Sequence, residues 1–169
     1  GWSYGAEFLF QKKMGRTTGW LAYTLSWNNR QFEEINKGKV FPFKYNRRHD
    51  LSVVLSHDLS DKWSFSGAWI YGTGNAYSIP DTYYPFPNSY FGEAGYSVYS
   101  EKNNYRMSDY HRLDLSFKRT KEKKWGESFW TFGAYNTYSR MNPFFVTMQE
   151  EYYGKRLKEV GDLNFDGVI

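Results

Sequence analysis

Two residue pairs, His49-Asp50 and His57-Asp58, hold the groups a hydrolase uses for base catalysis. An imidazole takes the proton and a carboxylate orients the ring. Their spacing works against that chemistry, because neighbours on a strand point to opposite faces and neither pair can then touch as a dyad. A different grouping stands near the end, Asp162-x-Asn164-x-Asp166-Gly167-x-Ile169. Oxygen donors at alternate positions, with glycine at the sixth, can wrap Ca²⁺. The bidentate acid of the twelfth position lies beyond Ile169, and half a loop binds poorly. Asp162, Asn164 and Asp166 are therefore metal-ligand candidates only, and Ca²⁺ is the one cofactor the sequence raises. Aromatic runs offer a further chemistry. Tyr83-Tyr84-Pro85-Phe86-Pro87 and Phe41-Pro42-Phe43 could stack on sugars or chelates, but most such rings in a long loop are expected to pack on one another. The absence of cysteine excludes disulfides, thiol catalysis and cysteine zinc sites.

The elements that carry these residues read as strands. Aromatic residues make up 22% of the 169, with 16 Tyr, 14 Phe and 7 Trp. An ordinary core needs fewer, whereas a membrane barrel places Tyr and Trp at both of its interfaces. The mean hydropathy of −0.76 and the lack of a long apolar run exclude a membrane-spanning helix but not a spanning barrel. The net charge of +4 is mild and spread along the chain, which argues only weakly for nucleic acid, and none is expected as a partner.

Alternation with period two dominates. In the first segment, Tyr4 to Met14, one face carries Tyr4, Ala6, Phe8 and Phe10 and the other Glu7 and Gln11. Residues 15–19 read as a turn. The second segment, Trp20 to Asn28, sets Leu21, Tyr23, Leu25 and Trp27 against Ala22, Thr24, Ser26 and Asn28. The third sets Leu51, Val53 and Leu55 against Asp50, Ser52 and Ser56. The fourth sets Trp63, Phe65, Trp69 and Tyr71 against Ser64, Ser66 and Ala68. The fifth sets Leu113, Leu115 and Phe117 against Arg112, Asp114, Ser116 and Lys118. The sixth, Phe129 to Tyr138, has aromatics on both parities and no assignable face; Asn142-Pro143 is expected to end it. Residues 120–127, with Lys121-Glu122-Lys123-Lys124, read as a charged turn, and residues 150–153 as a last connection.

The order is strand, short turn, strand, long loop, three times over. That asymmetry predicts an all-β fold, an antiparallel up-and-down transmembrane β-barrel segment of about six strands. Its short turns face the periplasm and its long loops the outside. A soluble β-sandwich is the bland alternative, but it does not require loop length to alternate. Asp50, Arg112, Asp114 and Lys118 share one face, and charge in lipid is costly, so that face must look into the lumen.

Several stretches resemble the last hairpins of TonB-dependent receptors, especially the type with an N-terminal carboxypeptidase-regulatory-like domain. They are Gly19-Trp20-Leu21-Ala22-Tyr23-Thr24-Leu25-Ser26, Tyr45-Asn46-Arg47-Arg48-His49-Asp50-Leu51 and Tyr71-Gly72-Thr73-Gly74-Asn75-Ala76. Asn103-Asn104-Tyr105-Arg106-Met107, Tyr110-His111-Arg112-Leu113-Asp114-Leu115 and Tyr135-Asn136-Thr137-Tyr138-Ser139-Arg140-Met141-Asn142-Pro143 complete the set. The resemblance spans residues 2 to 160. It implies a barrel of roughly 22 strands around a plug. It also implies uptake of large or scarce nutrients such as iron chelates, cobalamin or glycans, powered by an inner-membrane partner. The plug and the segment that contacts TonB are expected upstream, since the sequence opens on Gly1-Trp2-Ser3-Tyr4, already in strand. Such receptors close with a strand ending in an aromatic residue, and no such strand is expected here after Lys158-Glu159-Val160. The tail from Gly161 resembles the start of an EF-hand or dockerin repeat.

The expected division is therefore a barrel part over 1–160 and a tail over 161–169. The expected location is the outer membrane of a Gram-negative bacterium. The expected partners are lipid, lipopolysaccharide, the chain's own plug and the TonB complex. The expected role is transport without enzymatic activity. A small barrel serving as adhesin or anchor is the first alternative, and an outer-membrane hydrolase the second.

Overall fold

A computed structural model describes residues 1–86, 95–151 and 154–161, with side chains through Val146 apart from Pro85. The chain is all-β. The strands are β1 (Trp2–Lys12), β2 (Thr17–Arg30), β3 (Phe41–Pro42), β4 (His49–Ser60), β5 (Trp63–Gly72), β6 (Ala76–Tyr77) and β7 (Thr82–Pro85). They continue with β8 (Gly95–Val98), β9 (Tyr105–Arg106), β10 (Tyr110–Lys123), β11 (Gly126–Ala134), β12 (Pro143–Glu151) and β13 (Gly154–Gly161). One 3₁₀ turn, Asn36–Gly38, interrupts the connection between β2 and β4.

The six long strands pair in sequence order, β1-β2-β4-β5-β10-β11, and β3 adds to the end of β2. Every pairing is antiparallel. The connections 13–16, 61–62 and 124–125 lie at one edge of this sheet and 31–48 and 73–109 at the other. The expected alternation of short turn and long loop is therefore present. The small pairs β6-β9 and β7-β8 both belong to the 73–109 connection.

Register explains why the two faces differ. Directly opposed residues share a face, so a row of partners reads across the sheet. One row is Phe10, Leu21, Val53, Trp69 and Leu113. The next is Lys12, Gly19, Leu55, Gly67, Leu115 and Ala134, its one charge standing on the last residue of the edge strand β1. The opposite face carries Glu7, Thr24, Asp50, Gly72 and Tyr110 in one row, and Ser56, Ser66, Ser116 and Gly133 in another. The face assignments read from the first five segments all hold. On the sixth strand, Trp130, Phe132 and Ala134 join the apolar face while Phe129 and Thr131 join the polar one.

Polar groups on the apolar face sit at its ends. His49 and His111 stand near the long-loop edge; His57 and Arg119 stand near the short-turn edge. Aromatic rings gather at the same two levels. Tyr4 stacks on Trp27 at 5.2 Å and Tyr23 on His49 at 6.2 Å at one level, and Phe65 meets Phe117 at 4.9 Å at the other. From His49 to His57 the strand climbs about 26 Å, or about 20 Å upright at a barrel tilt of about 40°, close to the apolar band of an outer-membrane barrel.

Neither face of this sheet is covered. Among the described residues only Phe41, Ala76, Met107 and Val146 are buried hydrophobics, and none lies on the six long paired strands. The chain exposes 13106 Å², against roughly 8,700 Å² for a compact monomer of its mass. A sandwich buries one face of each sheet, so the bland alternative fails on this point.

Two expectations need correction, and one pair of strands went unassigned. Residues 143–161 hold two strands, β12 and β13, paired with each other, where the sequence marked only a connection at 150–153. Pro143 opens a strand, a position where its missing N–H costs nothing, and a register shift between Pro143 and Phe145 spoils the alternation. The charged run at 120–127 is mostly strand, since β10 continues to Lys123; charges at a wet strand end read like a turn. The sixth segment ends at Ala134 rather than Tyr138, because the backbone reverses at Asn136 (φ 49°) and Ser139 (φ 51°). Asp162, Asn164 and Asp166, and Pro87 of the aromatic run, lie outside the described residues.

Candidate functional site

The long-loop edge carries the only dense polar mesh on the described part of the chain. Side-chain amides build much of it. Asn142 bonds both ways to the backbone of His111, taking its N–H at 3.0 Å and giving to its carbonyl at 3.0 Å. Asn104 does the same to Ile79 at 2.9 and 3.2 Å. Asn36 does so to Lys102 at 2.6 and 3.3 Å, and Asn136 to Arg140 at 3.0 and 3.0 Å. Each amide imitates one step of a β ladder where no strand is available, so the loop backbone stays satisfied.

Arg106 is a hub of the mesh. One of its guanidinium nitrogens donates to the carbonyls of Asn46 and Gly74, both at 2.7 Å. Burial is the main cause that lowers its pKa, and nearby Arg48 adds to it. Gly74 sits where the Met107 carbonyl crosses, and a Cβ there would collide with that oxygen. Asp109 accepts from Tyr71 at 2.5 Å and from the Gly74 N–H at 3.0 Å. Thr73 Oγ1 accepts from the Arg48 N–H at 2.7 Å. Asn46, 2% exposed, donates to the Asn28 carbonyl at 2.8 Å.

Replacing Arg106 with Met should keep the packing of its stem and remove both bonds. Two charge-assisted bonds are worth about 3 kcal/mol together on the low side. The expected outcome is faster amide exchange at residues 73–76 and 104–108 with the sheet unaffected, read by hydrogen-exchange mass spectrometry. Equal protection in the variant would show that the hub is idle.

Beside the mesh lies a cleft of about 630 Å³. The end of β2 gives Arg30, and the loop between β2 and β4 gives Phe32, Phe43 and Lys44. The loop between β5 and β10 gives Tyr99 and Lys102. Arg30 is on the polar face of the sheet, opposite Phe41, so the cleft opens above that face. Its guanidinium lies 3.9 Å over the Phe43 ring. The two loops are pinned across the cleft by Asn36 to Lys102 and by Lys39 to Glu101 at 3.2 Å. Asn103 adds a bond to the Pro42 carbonyl at 2.7 Å. The cleft is therefore set before any ligand arrives.

The two His-Asp pairs are split between the faces of the sheet, as alternation along a strand requires. His49 Nδ1 meets Tyr23 Oη at 2.8 Å on the apolar face, while Asp50 is bound to Arg47 at 3.4 Å on the polar face. His57 Nδ1 meets Thr17 Oγ1 at 2.7 Å, and Asp58 faces the other way, opposite Ser64. Among the described residues no group of three His, Asp or Glu could hold a metal ion, and no helix is long and apolar enough to cross a membrane. Of the loop aromatics, Phe41 is buried and Phe43 lines the cleft. Tyr84 stacks on Tyr96 at 5.2 Å within the β7-β8 hairpin. Self-packing was the expected fate of most of them, and it accounts for Phe41, Tyr84 and Phe86.

Sequence reading missed Arg30, Lys44, Tyr99 and Lys102. Nothing in their local spacing marks them, because the cleft joins residues about 70 positions apart. No protein-family model, no curated protein and no solved structure matches the chain.

Proposed function

We propose that the chain forms part of the outer-membrane barrel of a TonB-dependent receptor that imports a large or scarce nutrient. The observation that carries this reading is the two-faced meander. Six sequential antiparallel strands hold an uncovered apolar face, with aromatic rings at both levels and charge confined to strand ends. Lipid is the solvent that makes such a face favourable. In water, each large apolar side chain left bare forfeits roughly 1.5–3 kcal/mol. The polar face supports a wet or plugged lumen: it carries the Arg112–Asp114 ion pair at 2.9 Å and the Ser56–Ser66 contact at 3.2 Å.

Five of the six stretches that resemble the receptor family meet in the polar mesh, which gives them a shared structural role at the outer rim. The test is cell fractionation followed by uptake. The protein should sediment with outer membranes, and accumulation of its nutrient should stop when a protonophore collapses the inner-membrane gradient. A soluble product would end the barrel reading. Uptake indifferent to the protonophore would end the energy-coupled one.

A second reading is a small complete barrel acting as adhesin or anchor. One observation favours it: among the described residues β12 and β13 raise the count of long strands to eight, the number in the smallest spanning barrels.

A further inference from the structure

We propose that the cleft between the two long loops binds a small molecule in which a carboxylate is carried on a six-membered ring. The inference deepens the barrel reading, which puts this cleft at the outer mouth above the lumen.

The charge of the cleft is unbalanced. Arg30, Lys44 and Lys102 line it, and among the described residues no carboxylate does. The ion pairs among the described residues are Lys39–Glu101, Arg47–Asp50 and Arg112–Asp114, so none of the three cleft cations has an acidic partner there. Arg30 rests instead on the Phe43 ring, which holds its guanidinium in place and leaves its edges free to donate. Such an edge matches a carboxylate by two parallel bonds.

The remaining wall is aromatic. Phe32 is 47% exposed and Tyr99 56% exposed, so both rings offer surface to a visitor. A flat or chair-shaped ring can lie on them while its acid reaches the cations. The volume of about 630 Å³ suits a small molecule, since such sites hold about 300–1,000 Å³. The pins between the loops lower the ordering cost of binding. Two sources share the chemistry, an acidic sugar and an aromatic acid.

The experiment titrates the intact protein, purified in detergent from outer membranes, by calorimetry. The probes are trigalacturonate, salicylate and neutral maltotriose. At least one acidic probe should bind, and which one binds tells the sugar source from the aromatic one. Maltotriose should not bind. Affinity should fall as salt rises. The double variant Arg30→Gln, Lys102→Gln should bind about 100-fold more weakly, roughly tenfold per cation. Lys102→Arg should keep most of the affinity. Tyr99→Ala, which leaves every charge in place, should weaken binding several-fold. Folded protein that binds neither acidic probe overturns the inference and leaves the barrel reading standing. So does equal binding of maltotriose, or a double variant as tight as the parent. Absence from the outer-membrane fraction is read before any titration and strikes the barrel reading instead.

Discussion

Leu115→Arg is expected to destabilise the membrane-inserted protein by about 2–4 kcal/mol, and Ser116→Arg by much less. The two positions are adjacent on β10 and differ only in face. Leu115 stands in the row with Leu55 and Gly67 on the apolar side. Ser116 stands opposite Ser66 and Gly133 on the polar side. Leu115 also stands in the middle of the stretch of β10 that pairs with β5, whereas His111 and Arg119 stand towards its ends, so an arginine at Leu115 has the longest reach to an interface. His111 and Arg119, on the same face, are tolerated because they stand near the ends. Urea titration of the protein in lipid vesicles would give both numbers. Equal costs, or a larger cost at Ser116, would mean that the faces have been assigned to the wrong solvents.

The second large effect concerns edges. A chain of these 169 residues alone should aggregate on refolding rather than yield a closed monomer. Among the described residues β1 pairs only with β2, and β11 only with β10. Each leaves one row of N–H and C=O groups unpaired, and lipid penalises each group by several kcal/mol. In water the same rows are templates for pairing with other copies. The β12-β13 hairpin is hydrogen-bonded to itself and to neither edge strand. Refolding into detergent micelles, with electrophoresis before and after heating, decides the matter. A protease-resistant monomer whose mobility shifts on heating would mean that the hairpin closes the gap, and would favour the small-barrel reading.

The walls were legible in the sequence and the rim was not, for a physical reason. A strand with one face in each solvent must alternate, so Leu51, Val53 and Leu55 declare their side without knowledge of any partner. Alternation also narrows the register, because like faces must meet across the sheet and a one-residue slip would break that match; the actual partners came only with the structure. Strands outside this regime gave no such sign. β12 is shifted out of step near Pro143, and β13 mixes Lys155, Arg156, Lys158 and Glu159 with Leu157 and Val160. The cleft was invisible because loops obey no period. Phe41-Pro42-Phe43 could be flagged as an aromatic run, but that Phe41 packs inward while Phe43 lies under Arg30 depends on the pairing of β3 with β2. Tyr99 and Lys102 arrive from another loop, placed by Asn36 and Asn103.

Those asparagine bonds have a consequence for how the molecule can change over generations. Each runs from a side-chain amide to the main chain of its partner. The asparagine is therefore constrained, while its bond sets no condition on the side chain of the residue it holds. Ile79, Lys102 and Arg140 contribute only backbone atoms to their amides. Lys102 can thus drift to another charge, or to none, without loosening the loop that presents it. The rim acts as a fixed mount with exchangeable tips. Lys102 is the held residue that lines the cleft, so the charge of the cleft can change while Asn36 stays untouched.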